Sequence, residues 1–134
     1  MPADNKVLVR RSIEFVNEHK RLPLELYAAT YVYHLPSSSN VLDLARVIEI
    51  DAMFHAAFPD LHFTLEDIVA EGDKVAVLWT ATMTHMGDGL GFPASSKKVS
   101  FQGSSFLLCR DGQIKEGRNQ MDFTKVQLQL QEKA

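Results

Sequence analysis

Every second residue from Val75 to His85 is apolar until the histidine that closes the run: Val75, Val77, Trp79, Ala81, Met83, His85. A repeat of two over this length is the mark of a β-strand with one face turned to a core, because successive side chains point to opposite sides of the backbone. Thr80, Thr82 and Thr84 fall on the other face. One strand cannot cover itself, so the rest of the chain must supply neighbouring strands and a layer over the apolar face. Strand-like segments are expected at 61–71, 74–86, 98–110 and 113–122, followed by a last helix from Phe123. Gly72-Asp73 and Asp111-Gly112 are short hairpin connections, which makes the strands beside them antiparallel.

Before Pro59 the periodicity is helical. Val9, Ile13 and Val16 form one stripe, widened by Leu8 and Phe15, of a helix over 4–19 capped by Asp4. Pro23 fits the first turn of a short helix over 24–29, and Tyr31 to His34 then runs extended toward Pro36. Asn40, with Asp43 three residues later, suits the start of a helix over 41–58 whose apolar face includes Leu44, Val47, Ile48, Met53, Phe54 and Phe58. Helices first and hairpin-linked strands second define the α+β class, with helices on one side of an antiparallel sheet. A chain of 134 residues fits one domain, 1–134, able to bury a real core.

Composition excludes several classes of function. The net charge of −3 gives no general attraction for phosphate backbones, and Lys and Arg cluster only in pairs such as Arg10-Arg11 and Lys97-Lys98, so no nucleic acid is expected as a partner. No apolar run approaches the roughly 18 residues of a membrane span, and the N-terminal segment lacks a signal-peptide pattern, so no membrane partner and a cytoplasmic location are expected. Cys109 is the single cysteine, and His19, His34, His55 and His62 are scattered, so neither a disulfide nor a metal site is expected. The glycines at 72, 87, 89 and 91 lack the order of a phosphate-binding loop, and no Gly-x-Ser-x-Gly elbow occurs.

Two polar residues stand out on the strands. Strand parity groups Glu116, Arg118, Gln120 and Asp122 on one face of the last strand, opposite Lys115, Gly117, Asn119 and Met121. Such a strand is either an exposed edge or the polar wall of a cavity. Inside a cavity, Asp122 would be a proton carrier whose pKa burial raises, and His85 a group that polarises a substrate carbonyl or orients Asp122. The structural alternatives are an N-cap for Asp122 and a satisfied strand-end histidine for His85. Tyr27, Tyr31 and Tyr33, with Met53, Phe54 and Phe58, either line a ligand cavity or form ordinary core.

The segments Ala57-Phe58-Pro59-Asp60-Leu61, Ile68-Val69-Ala70-Glu71-Gly72-Asp73-Lys74-Val75 and Thr84-His85-Met86-Gly87 resemble those of the SnoaL-like polyketide cyclases. The resemblance continues through Gly91-Phe92-Pro93-Ala94, the segment from Asp111 to Glu116, Asp122 and Gln129-Leu130. It implies a nuclear transport factor 2-like cone, a bent antiparallel sheet wrapped by helices around a pocket. It also implies a cofactor-independent cyclase or isomerase that closes a ring by intramolecular aldol chemistry on an apolar or aromatic small molecule. On the motif, the general acid/base falls on Asp122, and His85 becomes a substrate-polarising residue. His34 matches a pocket histidine, and Tyr33, Met53, Phe54, Phe58 and Trp79 are candidate substrate-binding residues. Arg118 stands where the family commonly has a tryptophan, and so is a candidate contact for an anionic group. A homodimer is expected because related domains commonly form one. A non-catalytic binding or assembly domain, and hydrolysis of an epoxide by an activated water held by Glu116, Gln120, Asp51 or Asn119, are the alternatives.

Overall fold

The computed structural model describes residues 2–35, 38–86, 96–121 and 128, with side chains from Asn5 onward. Helix α1 (Pro2–His19) opens the chain. It starts at Pro2, so Asp4 lies inside the first turn and is not the cap. Its apolar stripe buries Leu8, Val9 and Val16, and the stripe also carries Asn5 and Ser12. Lys20, with φ of 57°, turns the chain out of the helix while its amide still bonds to the Val16 carbonyl.

The segment at 24–29 is not a helix. A single 3-10 turn at Leu24–Leu26 leads directly into strand β1 (Tyr27–His34), followed by the short strand β2 (Val41–Asp43). Helix α2 (Leu44–Ala57) then begins three residues later than Asn40 would place it. The backbone of 41–43 is taken up in pairing with β1, and Asp43 becomes the cap, accepting a 2.9 Å bond from the Arg46 amide. Met53 and Ile48 lie on the outward side of α2, so its buried stripe is narrower than the count of apolar residues implies.

Strands β3 (His62–Glu71), β4 (Lys74–Thr84), β5 (Lys98–Arg110) and β6 (Gln113–Met121) complete a six-stranded sheet in the order β2-β1-β6-β5-β4-β3. The fold is α+β. The sheet, however, is mixed: β1 runs parallel to β6, with Tyr33 beside Gly117 and His34 beside Arg118, and every other pair is antiparallel. Strand β6 is therefore internal, not an edge. Both tight turns use left-handed backbone, at Gly72 (φ 58°) and at the Asp111-Gly112 pair (57° and 73°), the latter matching a two-residue hairpin. Asp122, the expected helix from Phe123 apart from the helical Leu128, and the glycine-rich segment 87–95 lie outside the described residues.

The alternation of β4 is realised in full: Val75, Val77, Trp79, Ala81, Met83 and His85 are all buried. On the opposite face Thr82 is exposed, while Thr80 and Thr84 donate hydroxyl bonds to Glu66 and Asp60. Helix α1 lies against β3, which is an edge of the sheet. Asn17 grips that edge with both ends of its amide, donating to the Phe63 carbonyl and accepting from the Phe63 amide, each at 2.8 Å. Lys20 adds a 2.8 Å bond to the Leu61 carbonyl. No helix among the described residues is long and apolar enough to cross a membrane.

Candidate active site

Between the helices and the concave side of the sheet lies a cavity of about 370 Å³. Helix α1 contributes Val9, Ser12, Ile13 and Val16, positions three or four apart on one face. Helix α2 contributes Val47, Ile50, Asp51 and Phe54 by the same rule. Tyr27, Tyr31 and Tyr33 enter from β1, and the floor is built by Val77, Trp79, Phe101, Ser105, Leu107, Asn119 and Met121. The lining is predominantly apolar and aromatic with a few placed polar groups, the usual make-up of a small-molecule site.

The floor is flat where two glycines make it so. A Cβ on Gly103 would stand 2.5 Å from the Trp79 ring, and one on Gly117 would stand 2.5 Å from the Tyr31 hydroxyl. Gly103→Ala should therefore push the indole into the cavity and destabilise the protein by about 1–3 kcal/mol. The urea midpoint and the emission of Trp79, the chain's one tryptophan, read both effects.

A line of hydrogen bonds crosses that floor. Trp79 Nε1 donates to Ser105 Oγ at 2.9 Å, and Ser105 Oγ donates to Asn119 Oδ1 at 2.6 Å. Tyr33 is hydrogen-bonded to Asn119. Because the Asn119 carbonyl accepts from Ser105, its orientation is fixed; one amide hydrogen is directed at the Tyr33 oxygen, which leaves the second for an acceptor. At the opposite end of the cavity Tyr27 is hydrogen-bonded to Ser12, near the Asp51 carboxylate.

Burial pushes all three tyrosines above their ordinary value of 10.0, Tyr27 to about 12. Part of Tyr27 reaches the surface, but its hydroxyl is withdrawn from water inside the cavity. A phenol whose folded pKa is raised stabilises the fold below pH 10 and ceases to do so as pH climbs from 10 toward 12. These are the only tyrosines in the chain. Tyrosinate absorbance should therefore stay low above pH 10 and rise together with loss of the far-UV signal, rather than ahead of it.

The structure places the expected site residues in two groups. Tyr33, Phe54 and Trp79 line the cavity. His85, Phe58, Met53, His34 and Arg118 are not among its described lining residues. His85 is fully buried behind the wall: Phe54 lines the cavity, Phe58 stacks on Phe54 at 5.4 Å, and His85 packs on Phe58 at 5.4 Å. Its backbone ties the end of β4 to the chain's return, bonding to the Lys97 carbonyl and accepting from the Ser96 amide. Met53 is half exposed on the outer side of α2.

His34 and Arg118 lie on the convex face of the sheet. A bulge at Leu108/Cys109 shifts the register, so that Ile114 is core and then Gly117, Asn119 and Met121 face inward. Glu116, Arg118 and Gln120 are thereby turned outward. Glu116 pairs there with His34, Nε2 to Oε1 at 2.7 Å. Arg118 lies across from the exposed Phe106. Ser12, Asp51, Ser105 and Asn119 are the polar lining groups that an apolar pattern passes over. The clue to Asp51 is its place in the helical series 47, 50, 51, 54.

A pocketed, curved mixed sheet wrapped by two helices is the nuclear transport factor 2-like fold. The profile of the SnoaL-like polyketide cyclases matches residues 6–130, and the chain belongs to that family. AclR from Streptomyces galilaeus, assigned as a hydroxylase, superposes with a TM-score of 0.87 at 24% identity over 97% of this chain and 82% of its own. IdmH from Streptomyces antibioticus, assigned as a polyketide cyclase, gives 0.82 at 26% identity over 94% and 97%. A protein from Acidithiobacillus ferrooxidans with the same assignment gives 0.81 at 27% identity over 98% and 96%. No curated protein matches the chain.

Proposed function

We propose that the protein is an acid/base enzyme that closes a ring in an aromatic, carbonyl-bearing small molecule by an intramolecular aldol reaction. The observation that carries this reading is the cavity itself: about 370 Å³, walled by aromatic side chains, with a fixed amide donor at Asn119, in a chain of the SnoaL-like family. Asp122 is the proton carrier in this proposal. That role rests on the resemblance to the SnoaL-like family, since Asp122 itself lies outside the described residues.

In the proposed reaction the Asp122 carboxylate takes a proton from carbon alpha to an ester or ketone. The enolate oxygen is held by a hydrogen-bond donor, for which the Asn119 amide is suited. The carbanion attacks a second carbonyl carbon of the same molecule, and Asp122 returns its proton to the new alkoxide. The product is an isomer of the substrate. Tyr33 and Trp79 hold Asn119 and the ring plane, and the apolar walls keep out water that would quench the enolate. His85, behind Phe58, shapes the wall without touching the substrate.

The test is incubation with polycyclic aromatic methyl esters bearing a pendant ketone, followed by chromatography and mass measurement. The proposal expects a product of unchanged mass with one ketone replaced by a ring alcohol. Binding of these esters without any conversion would instead assign the protein to the non-catalytic binding domains.

A further inference from the structure

Asp51 is a carboxylate in a place the helix reserves for core. It sits in the stripe Val47, Ile50, Phe54 that faces the cavity, only one-fifth exposed, and is the one carboxylate among the described lining residues. Removing a carboxylate from water is costly unless donors replace the water, and a carboxylate offers about four acceptor sites. Among the described residues Asp51 accepts no hydrogen bond from a side chain or from a backbone group outside its own helix. Its one ion-pair contact among the described residues is His55, one turn on, whose Nε2 lies 3.3 Å from Oδ1. That contact has ion-pair distance but not hydrogen-bond geometry, and both His55 ring nitrogens are buried without a hydrogen bond. The nearby Ser12 hydroxyl is directed at the Tyr27 oxygen.

We propose that this end of the cavity is a subsite for a hydroxyl-bearing aromatic ligand, whose O–H donates to the Asp51 carboxylate beside Ser12 and Tyr27. The proposal rests on the reading of the cavity as a site for aromatic carbonyl compounds, and adds a hydroxyl contact and the orientation of the ligand. A carbonyl oxygen is repelled by Asp51 and attracted by the Asn119 amide at the other end, so the two ends sort the ligand: hydroxyl toward the helices, carbonyl toward β6.

The test uses 2-naphthol and its methyl ether, which share a ring system but differ in the donor, measured by equilibrium dialysis against wild type, Asp51→Leu and Asp51→Asn. The single indole N–H resonance of Trp79 reports entry into the cavity. Wild type should bind the naphthol about tenfold or more tighter than the ether, as expected of a hydrogen bond to a charged acceptor. Asp51→Leu should abolish the difference, and Asp51→Asn, which keeps size and a neutral acceptor, should leave a few-fold preference. Equal affinity of wild type for the two probes, or an undiminished preference in Asp51→Leu with the Trp79 resonance still responding, would overturn the subsite. Neither outcome involves turnover, so the subsite and the aldol reaction stand or fall on separate measurements.

Discussion

Asp122→Asn should slow cyclisation by about 10²–10⁴-fold while leaving affinity for aromatic probes within a few-fold of wild type. Asparagine matches aspartate in size and keeps one acceptor oxygen, so it preserves contacts that need only shape or a neutral hydrogen bond. It does not accept a carbon-bound proton, because a protonated amide is far too acidic. A purely capping role for Asp122 predicts a different outcome, since asparagine is as good a cap as aspartate: both turnover and stability would survive. Equal turnover by wild type and variant removes Asp122 from the chemistry. Measuring the thermal midpoint in parallel separates lost catalysis from lost folding.

The largest stability effect is expected at Phe58. Its side chain is wholly buried where α2 ends, touching Phe54 on the cavity side and His85 on the other. The backbone around it is equally committed: its amide bonds to the Phe54 carbonyl, its carbonyl accepts from Leu61, and the carbonyl of Ala57 accepts from Met86. Phe58→Ala leaves a void that these fixed neighbours cannot close, and should cost about 3–5 kcal/mol. That corresponds to a fall in Tm of roughly 10–20 °C for a domain of this size. Phe58→Leu fills most of the space and should cost much less. If Phe58→Ala lowers ligand affinity as well, the change travels through Phe54, because Phe58 itself is not a lining residue.

What the amino-acid sequence reveals here follows the range of the forces that act on it. Strands β3 to β6 are legible because each pairs with its neighbour through a tight turn, and because the alternation in β4 is uninterrupted. Of β1 only Tyr31 to His34 is legible as extended, and β2 is not legible at all, because the start of β1 at Tyr27 depends on a parallel partner near the other end of the chain. The same long-range pairing converts an expected antiparallel sheet into a mixed one. Within the site, Tyr33, Phe54 and Trp79 are recoverable from periodicity. Arg118 is not, since simple parity does not reveal the bulge at Leu108/Cys109 that turns Gly117 and Asn119 inward, and His34 alternates with Tyr33 onto the opposite face of β1. Ser12 and Ser105 escape because a search for apolar faces skips the polar residues embedded in them, and Asp51 and Asn119 emerge only as candidate holders of a water.

The parallel pairing of β1 with β6 also sets the order in which this molecule can be made. A chain emerging from the ribosome presents α1, β1 and α2 first, with only the three-residue β2 to flank β1. The hairpins β3-β4 and β5-β6 can close locally, but β1 waits until nearly the last strand has been synthesised. During that interval the tyrosines of β1 and the inner stripes of both helices have no sheet to cover them, and the nascent chain is an apt client for a chaperone. The cavity exists only after β6 slots in between β1 and β5, so ligand binding reports the final step of folding.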